Sequence, residues 1–437
     1  MSARKGNVGL LSSLAYLLKI KGCMLHVVCC LCLPVSFLSI ADHGDAKASI
    51  TTQSVVAISH SFSIDNGIKI DIVLPPNYHK TEAHYPLVFV FDSQRYLLLP
   101  AAYQTSLAWK EYTPQFIIVG IDTTNAKRRH ILGNGAANLI STISDDIIPR
   151  IDKNYRTNQL RILFGWEKAA GFAVELLAKE PELFSAYILV SGTFISSSRL
   201  ATLEHTLKNS QVRQPFVFQT LDKTETWAID ENNALKKILA NTLTDRYQFV
   251  WTSGEDHYST PYTAFSKGLS AFLSDYRPLR FYSLAEYADF GGLAAIKKHY
   301  SKRATMYLTS SAVHEQTIHF LLNQAVNEGN FDVFSQIYTA YPDFIASKRY
   351  RPVFIDKFAS FCDGNRDLKT AESIYKIGVT QNPLSADLQE KLGDIYLKTG
   401  DHQQARAAFQ ASKQLALNEG ETERIARINA KLMQITG

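Results

Sequence analysis

The stretch that decides the fold is Arg161-Ile-Leu-Phe-Gly165-Trp-Glu167-Lys-Ala169-Ala-Gly171. Its short apolar run ends at Gly165, and a pattern typical of an amphipathic helix begins directly after Glu167. Small residues lie two positions before and two positions after Glu167, as a sharp turn from a strand into a helix requires. The stretch therefore predicts a buried strand, a tight turn and a helix, with an acidic side chain at the apex of the turn.

This spacing resembles the G-x-S-x-G nucleophile elbow of the α/β-hydrolases, in which a serine stands at the apex. Glu167 takes the place of that serine, and Ala169 is small enough to leave the turn intact. The resemblance implies an esterase scaffold that lacks its hydroxyl nucleophile.

Length and composition describe an ordinary globular protein. At 437 residues the chain is too long for one core, so two domains are expected. The formal net charge is +5, but residues 1–48 hold five of the 46 basic and two of the 41 acidic residues. The remaining 41 basic and 39 acidic residues leave a net charge of +2. Nothing in this balance favours a nucleic-acid partner or an anionic membrane surface.

The first 48 residues are typical of an export signal. Lys19 and Lys21 precede an apolar run over residues 25–40, and Ala46-Lys47-Ala48 is a small-x-small cleavage pattern. We expect cleavage after Ala48, a periplasmic location and no stable membrane span afterwards. An uncleaved anchor helix is the alternative, although the run is short for a span. Met24 is a second candidate for the start of the chain.

The cysteines and histidines give no metal or disulfide pattern. Four cysteines (Cys23, Cys29, Cys30 and Cys32) lie in the signal segment, so the mature chain keeps only Cys362, expected to be a buried thiol. His43, His79, His84 and His130 lack metal-ligand spacing. Gly133-Asn134-Gly135 lacks the lysine and hydroxyl residue of a phosphate-binding loop and predicts a turn. We expect neither metal nor cofactor.

Between Val55 and about Tyr276, segments typical of strands alternate with segments typical of helices. Asp65-Asn66-Gly67 separates two alternating segments, 59–64 and 68–74, and predicts a hairpin. Short apolar runs typical of strands buried on both faces span 87–91, 116–121, 162–164, 187–190, 216–219 and 247–251. Helices are predicted over 137–151 and 170–179. The alternation predicts an α/β domain over residues 49–277, with a mainly parallel sheet covered on both faces.

After Arg277-Pro278 the strand-like runs stop, and helical spacing continues to residue 437. Leu392-Gly393, Tyr396, Gly400, Ala405 and Phe409 match the tetratricopeptide pattern. Ala371 and Tyr375 precede Ala405 and Phe409 by 34 residues, and a weaker unit spans 319–342. A final amphipathic helix over 425–435 would cap the stack. Residues 278–437 are therefore predicted to be a helical linker followed by repeats, on which a protein partner could bind.

With these elements in order, the α/β region resembles the Putative esterase family, which includes enterobactin esterases and S-formylglutathione hydrolases. The matching segments are 73–78 with 85–92, 119–122 with Arg128-Arg129, 146–155, 181–184 with Ser191-Gly192, and Gly254-Glu-Asp-His257 with Tyr262 and Gly268-Leu269. A tetratricopeptide tail occurs in some bacterial members. The resemblance implies an α/β-hydrolase fold and a site for a small ester-like ligand.

The resemblance also implies roles for individual residues. His257 stands where the family has its general base, and the acid that orients it should follow the strand at 216–219. Asp222 and Glu225 both qualify by position. The amide of Lys168 and that of Ser93, in the loop after Asp92, are the oxyanion-hole candidates.

Glu167 departs from this pattern in chemical kind. A serine esterase needs a hydroxyl deprotonated by histidine, whereas a carboxylate puts fixed negative charge where the oxyanion develops. We therefore expect an impaired esterase-like domain that binds a ligand or a protein. If His257 faces Glu167, the two are expected to form an ion pair.

Two other functions stay open at this stage. One is a working hydrolase, either through a hydroxyl such as Ser93 or Ser191 or through Glu167 attacking alkyl carbon, as the aspartate of haloalkane dehalogenases does. The other is an interaction protein that uses only its repeats.

Overall fold

The computed structural model describes residues 58–64, 67–124, 127–209 and 213–436. The predicted export signal, its four cysteines and the turn residues Asp65 and Asn66 lie outside the described residues. No helix in the described ranges is long and apolar enough to cross a bilayer.

An eight-stranded sheet, in the order β1-β2-β4-β3-β5-β6-β7-β8, forms the centre of the α/β region. Its strands are β1 His60–Ile64, β2 Ile68–Val73, β3 Tyr85–Phe91, β4 Ile117–Asp122, β5 Thr157–Trp166, β6 Ala186–Val190, β7 Phe216–Asp222 and β8 Tyr247–Thr252. β1 and β2 form the predicted antiparallel hairpin, and β2 also runs antiparallel to β4. All other neighbours are parallel.

Both faces of this sheet are buried, because central strands such as β3 and β6 are apolar throughout. In β3, Leu87 and Phe89 belong to one hydrophobic core, and Val88 and Val90 belong to the core on the opposite face. Continuous apolar runs of this kind are typical of parallel strands covered on both sides.

The α-helices assigned within the described ranges fall into two sets. The α/β region contains α1 Ser93–Tyr96, α2 Leu98–Leu107, α3 Arg128–Ile131, α4 Ala136–Thr142, α5 Ile148–Asn154, α6 Lys168–Lys179, α7 Ser197–Asn209, α8 Ile229–Leu243 and α9 Thr260–Phe272. The C-terminal region contains α10 Leu284–Asp289, α11 Gly292–Tyr307, α12 Glu315–Asn327, α13 Phe331–Ala340, α14 Pro352–Gly364, α15 Leu368–Gln381, α16 Ala386–Thr399, α17 His402–Glu419 and α18 Thr422–Thr436.

Residues of α4 to α8 belong to the core on one face of the sheet, and residues of α2 and α9 belong to the core on the other. This arrangement confirms the predicted α/β-hydrolase-like fold followed by an all-helical region.

The helix predicted over 137–151 is interrupted. Residues Ile143–Ile147 form one π-helical turn, in which the amide of Ile148 donates to the carbonyl of Ile143. Pro149 has no N–H to donate and its ring crowds the carbonyl four residues earlier. A local widening to π geometry relieves that conflict, so α4 and α5 are separate segments.

The helical region packs back onto the α/β region through α11. The Tyr307 hydroxyl donates to the carbonyl of Phe272 at 2.8 Å, and its ring belongs to a core of the sheet. Arg303 Nε donates to the carbonyl of Tyr276 at 2.8 Å. The helix α11 therefore completes the α/β core, although it lies beyond the boundary predicted at residue 277.

From α12 onward, α12 packs on α13, α14 on α15, and α16 on α17. Small residues let these helices approach closely. A Cβ at Gly378 would lie 2.3 Å from Ile355 Cγ2, and one at Gly393 would lie 2.6 Å from the Phe409 ring. Ala371 and Ala405 are fully buried. Cys362 is a buried free thiol in this region, and burial raises its pKa to about 12.

Candidate active site

The elbow geometry is present although the serine is not. β5 ends at Trp166, α6 begins at Lys168, and Glu167 between them has φ 57° and ψ −118°. A positive φ is strained for a side chain of this size. A Cβ at Gly165 would lie 2.8 Å from the Ala169 carbonyl, so glycine is required where the strand passes the helix. The turn thus keeps the backbone of a nucleophile elbow around a carboxylate.

The Glu167 carboxylate is held by two permanent cations. Arg128 Nη1 donates to Glu167 Oε2 at 2.8 Å, and Lys168 Nζ donates to Oε1. Burial raises the pKa of the Glu167 carboxyl, but the hydrogen bonds from Lys168 and Arg128 outweigh it, and the pKa lies below its usual value. Glu167 is therefore ionised at neutral pH.

Arg128 is itself fixed by a buried carboxylate at the end of β3. Its Nε and Nη2 donate to the two oxygens of Asp92, each at 2.7 Å. The Thr123 hydroxyl donates to Asp92 Oδ1 at 2.6 Å. Such a bidentate pair fixes the orientation of the guanidinium. Arg128 therefore presents one remaining edge to Glu167.

His257 lies in the loop between β8 and α9, and its orienting acid is Glu225. His257 Nδ1 lies 2.5 Å from Glu225 Oε1. Glu225 is fully buried, and its other oxygen accepts from the Ser191 hydroxyl at 2.7 Å and from the Asp222 amide at 2.9 Å. The Asp222 carboxylate accepts from Thr224 and Thr252 instead. Of the two acid candidates, the structure brings only Glu225 to the imidazole.

The imidazole lies against an aromatic wall. Its ring centroid is 4.7 Å from that of Trp166 and 5.8 Å from that of Trp227. Trp166 Nε1 also donates to the His257 carbonyl at 3.0 Å. His257 Nε2 has no hydrogen-bond partner among the described residues. The imidazole is thus oriented and keeps one nitrogen free.

Glu167 and His257 line the same cleft, of about 270 Å³, with Asp92, Gln94, Arg95, Arg128, Trp166 and Tyr258. The ion pair expected between them is not formed: the described side chains that bind Glu167 are Arg128 and Lys168. These two are charged at every physiological pH, whereas a histidine is half neutral near pH 6.5. The permanent cations therefore hold the carboxylate in place of the imidazole.

The serines considered as replacement nucleophiles lie elsewhere. Ser191 is fully buried and its hydroxyl is committed to Glu225. Ser93 is buried against β4, where a Cβ at Gly120 would lie 2.7 Å from Ser93 Cβ. Neither serine lines the cleft.

The oxyanion-hole candidates retain unused backbone donors. The amides of Lys168 and Ser93 have no acceptor within the described part of the chain. Each adjoins a residue that lines the cleft. No group of three or more potential metal ligands occurs among the residues described.

Comparisons with known proteins agree with this geometry. Residues 61–258 match the model of the family described as Putative esterase, and they form an esterase-like α/β-hydrolase domain. The match begins in β1 and ends just after His257, so it includes the elbow, Glu225 and the imidazole loop. A comparison with curated proteins finds no similar sequence.

Several solved structures are also similar to this chain. An IroE-like serine hydrolase from Shewanella oneidensis has 18% identity and a TM-score of 0.50, with 65% of this chain and 98% of that chain covered. The enterobactin esterase from Shigella flexneri has 16% identity and a TM-score of 0.40, with 49% of this chain and 59% of that chain covered. An uncharacterised protein from Capnocytophaga ochracea has 16% identity and a TM-score of 0.46, with coverage of 85% and 99%. The first of these supports the α/β-hydrolase fold.

Proposed function

We propose that the α/β domain binds a small ester-like ligand in the cleft between Glu167 and His257, without serine-esterase turnover. The observation that carries the proposal is the Glu167 carboxylate at the apex of the elbow, held by Arg128 and Lys168 beside an intact His257–Glu225 pair.

The chemistry of a carboxylate at this position supports the proposal. Its attack on an ester would give an anhydride, and its charge repels the oxyanion that the neighbouring amides would stabilise. Hydrogen bonds to both oxygens also reduce the nucleophilicity of Glu167. Loss of a triad nucleophile costs on the order of 10⁶ in turnover. That factor exceeds what the remaining donors can restore.

The surroundings of the His257 loop favour ligand binding. Trp227, Tyr258 and Tyr262 are more than half exposed around the His257 loop, at 65%, 68% and 56%. Exposed aromatic side chains can pack against an apolar or planar group of a ligand. The free His257 Nε2 can donate to or accept from a polar atom of the ligand.

A serine-reactive fluorophosphonate and a nitrophenyl ester test this proposal. The wild-type protein should show no covalent labelling and only background hydrolysis. Replacement of His257 by alanine should leave that background unchanged. Labelling, or hydrolysis that is lost in the His257→Ala variant, would refute the proposal.

A second candidate is a hydrolase with a carboxylate nucleophile, favoured by the lowered pKa that keeps Glu167 ionised. Such a nucleophile attacks alkyl carbon rather than ester carbonyl. Mass spectrometry after incubation with haloalkanes and epoxides would detect an ester on Glu167. An unmodified peptide with every compound would eliminate this candidate.

We further propose that the helix pairs from α12 to α17 are tetratricopeptide-like repeats that bind a protein partner. The close approaches at Gly378 and Gly393 support this assignment, because small residues stand where the repeat pattern requires them. Cross-linking of the full-length chain should capture partners that a chain ending after Leu308 loses. That truncation keeps α11, which completes the α/β core. Retention of the same partners would contradict the proposal.

Export remains part of the proposed function. It rests on the signal pattern in residues 1–48. Fractionation and N-terminal sequencing should give a periplasmic protein that begins at Ser49. An unprocessed chain in the membrane fraction would favour the anchor instead.

A further inference from the structure

A second concavity, of about 610 Å³, adjoins the cleft and shares Arg128 with it. We call it the basic pocket. It is lined by the four consecutive basic side chains of residues 127–130, together with Gly133, Asn134 and Phe194. None of these described lining residues is acidic.

Two of the cations in the basic pocket have no counter-ion among the residues that the structure describes. Arg128 is neutralised by Asp92 and Glu167. Lys127 and Arg129, in contrast, form no ion pair within 4.0 Å with any described residue. Both side chains are exposed, so their charges are available to a ligand. Residues 49–437 carry a net charge of only +2, so the excess of positive charge in the pocket is local.

The wall opposite α3 is aromatic and fixed. Arg129 Cζ lies 5.6 Å and Lys168 Nζ 5.4 Å from the centroid of the Phe194 ring. Arg199 Nη1 donates to the Phe194 carbonyl at 2.9 Å. The Phe194 ring is thus held at one place between cations from two different elements.

The turn after α3 braces the backbone that carries the basic side chains. The amides of Gly133 and Gly135 both donate to the His130 carbonyl, at 3.1 and 2.8 Å. A Cβ at Gly133 would lie 2.7 Å from the Arg129 carbonyl oxygen. The Gly133-Asn134-Gly135 segment therefore packs directly on the end of α3, and its glycines allow that close contact. The wall that carries Arg129 is therefore braced before any ligand binds.

We propose that the basic pocket binds a small polyanion, a ligand with at least two negative charges carried by phosphate or carboxylate groups. Guanidinium groups form planar, paired hydrogen bonds with both kinds of oxyanion. Lys127 adds a point charge from the same wall. Arg128 lines both the pocket and the cleft, so a polyanion bound in the pocket would lie beside the elbow. The charge of Arg128 is already neutralised by Asp92 and Glu167 and would not add to the affinity.

Isothermal titration calorimetry on the full-length chain tests this site with inorganic pyrophosphate and with citrate as probes. Arg129→Gln should weaken binding on the order of tenfold, and Lys127→Gln should add a further loss. The matched control is Lys110→Gln, because Lys110 is an exposed cation over an aromatic ring, Trp109, outside the pocket. It should bind as the wild type does, and all variants should unfold at the same temperature.

The titration distinguishes the chemical class of the ligand. Binding of pyrophosphate alone would assign a phosphate ligand, binding of citrate alone a carboxylate ligand, and binding of both a site that recognises charge. No binding of either probe, or equal losses in Lys110→Gln and Arg129→Gln, would overturn the proposal. Because the probes are not esters and the variants lie outside the catalytic positions, failure here leaves the proposed loss of esterase turnover untouched.

Discussion

Arg128 and Glu167 form a hydrogen-bonded ion pair of 2.8 Å at the point where β5 turns into α6. Nε and Nη2 of the same guanidinium donate to Asp92, which is almost completely buried. One arginine thus pairs with a carboxylate at the end of β3 and with another at the elbow, where Lys168 supplies the second positive charge. The domain accommodates an acidic residue at the nucleophile position because this cation is already in place.

The first prediction concerns that arginine. Arg128→Met should reduce the free energy of unfolding by about 3 kcal/mol, because it leaves the buried Asp92 carboxylate without its partner. The neighbouring Arg129→Gln is the control and should change stability by less than about 0.5 kcal/mol, since Arg129 is exposed. Urea unfolding of both variants measures the difference. Equal free energies of unfolding for the two variants would mean that the Arg128–Asp92 ion pair does not stabilise the fold.

A second prediction concerns Glu390, which links α16 to α18. Burial would raise its pKa, but hydrogen bonds from Arg427 and Lys431 lower the pKa to about 2. A lowered pKa stabilises the fold above the ordinary value near 4.5, and the contribution is lost as the pH falls toward 2. Glu390→Gln should therefore cost about 3 kcal/mol at neutral pH and almost nothing near pH 2.

The exposed Glu419→Gln is the control for that pH series and should follow the wild type throughout. The free energy of unfolding would be measured from pH 7 to pH 2 by denaturant titration. A difference between Glu390→Gln and wild type that does not shrink with acidification would show that the loss comes from packing and not from charge.

A third prediction tests the packing of the repeat region. Gly378→Ala should destabilise the protein by about 1–3 kcal/mol, because the new methyl group would overlap Ile355 on α14. Gly364→Ala is the matched control, since no atom of the described residues lies within 4 Å of a Cβ there. It should be neutral or stabilising, because alanine is the better helix former. Thermal unfolding would separate them, and similar melting temperatures would argue against the tight α14–α15 contact.

Much of the fold could be predicted from local sequence. Only a few residue types are tolerated at certain positions, and these positions predict the local structure. Examples are the apolar run of β3, Gly67 in the hairpin and Gly165 before the elbow. The break between α4 and α5 was missed, because one proline within a strong helical pattern can either bend a helix or divide it. The packing of α11 on the α/β core was not predicted, since the periodicity of its segment resembles that of the later helices.

The site was less predictable, because its contacts join residues distant in the chain. Asp222 and Glu225 are three residues apart, and only the turn after β7 decides which carboxylate reaches His257. The predicted ion pair of His257 with Glu167 was wrong for a similar reason. Arg128 was recognised only as part of a basic cluster, and nothing local indicates that it spans two carboxylates 36 and 39 residues away.

The proposed loss of esterase turnover depends on the carboxylate at the elbow, and Glu167→Ser tests this dependence most directly. Fluorophosphonate labelling followed by peptide mass spectrometry would be run on wild type, Glu167→Ser, Glu167→Ala and the double variant Glu167→Ser with His257→Ala. We predict that only Glu167→Ser is labelled, at position 167, and that the wild type is not. Labelling of the wild-type chain at any serine in a His257-dependent manner would contradict the account.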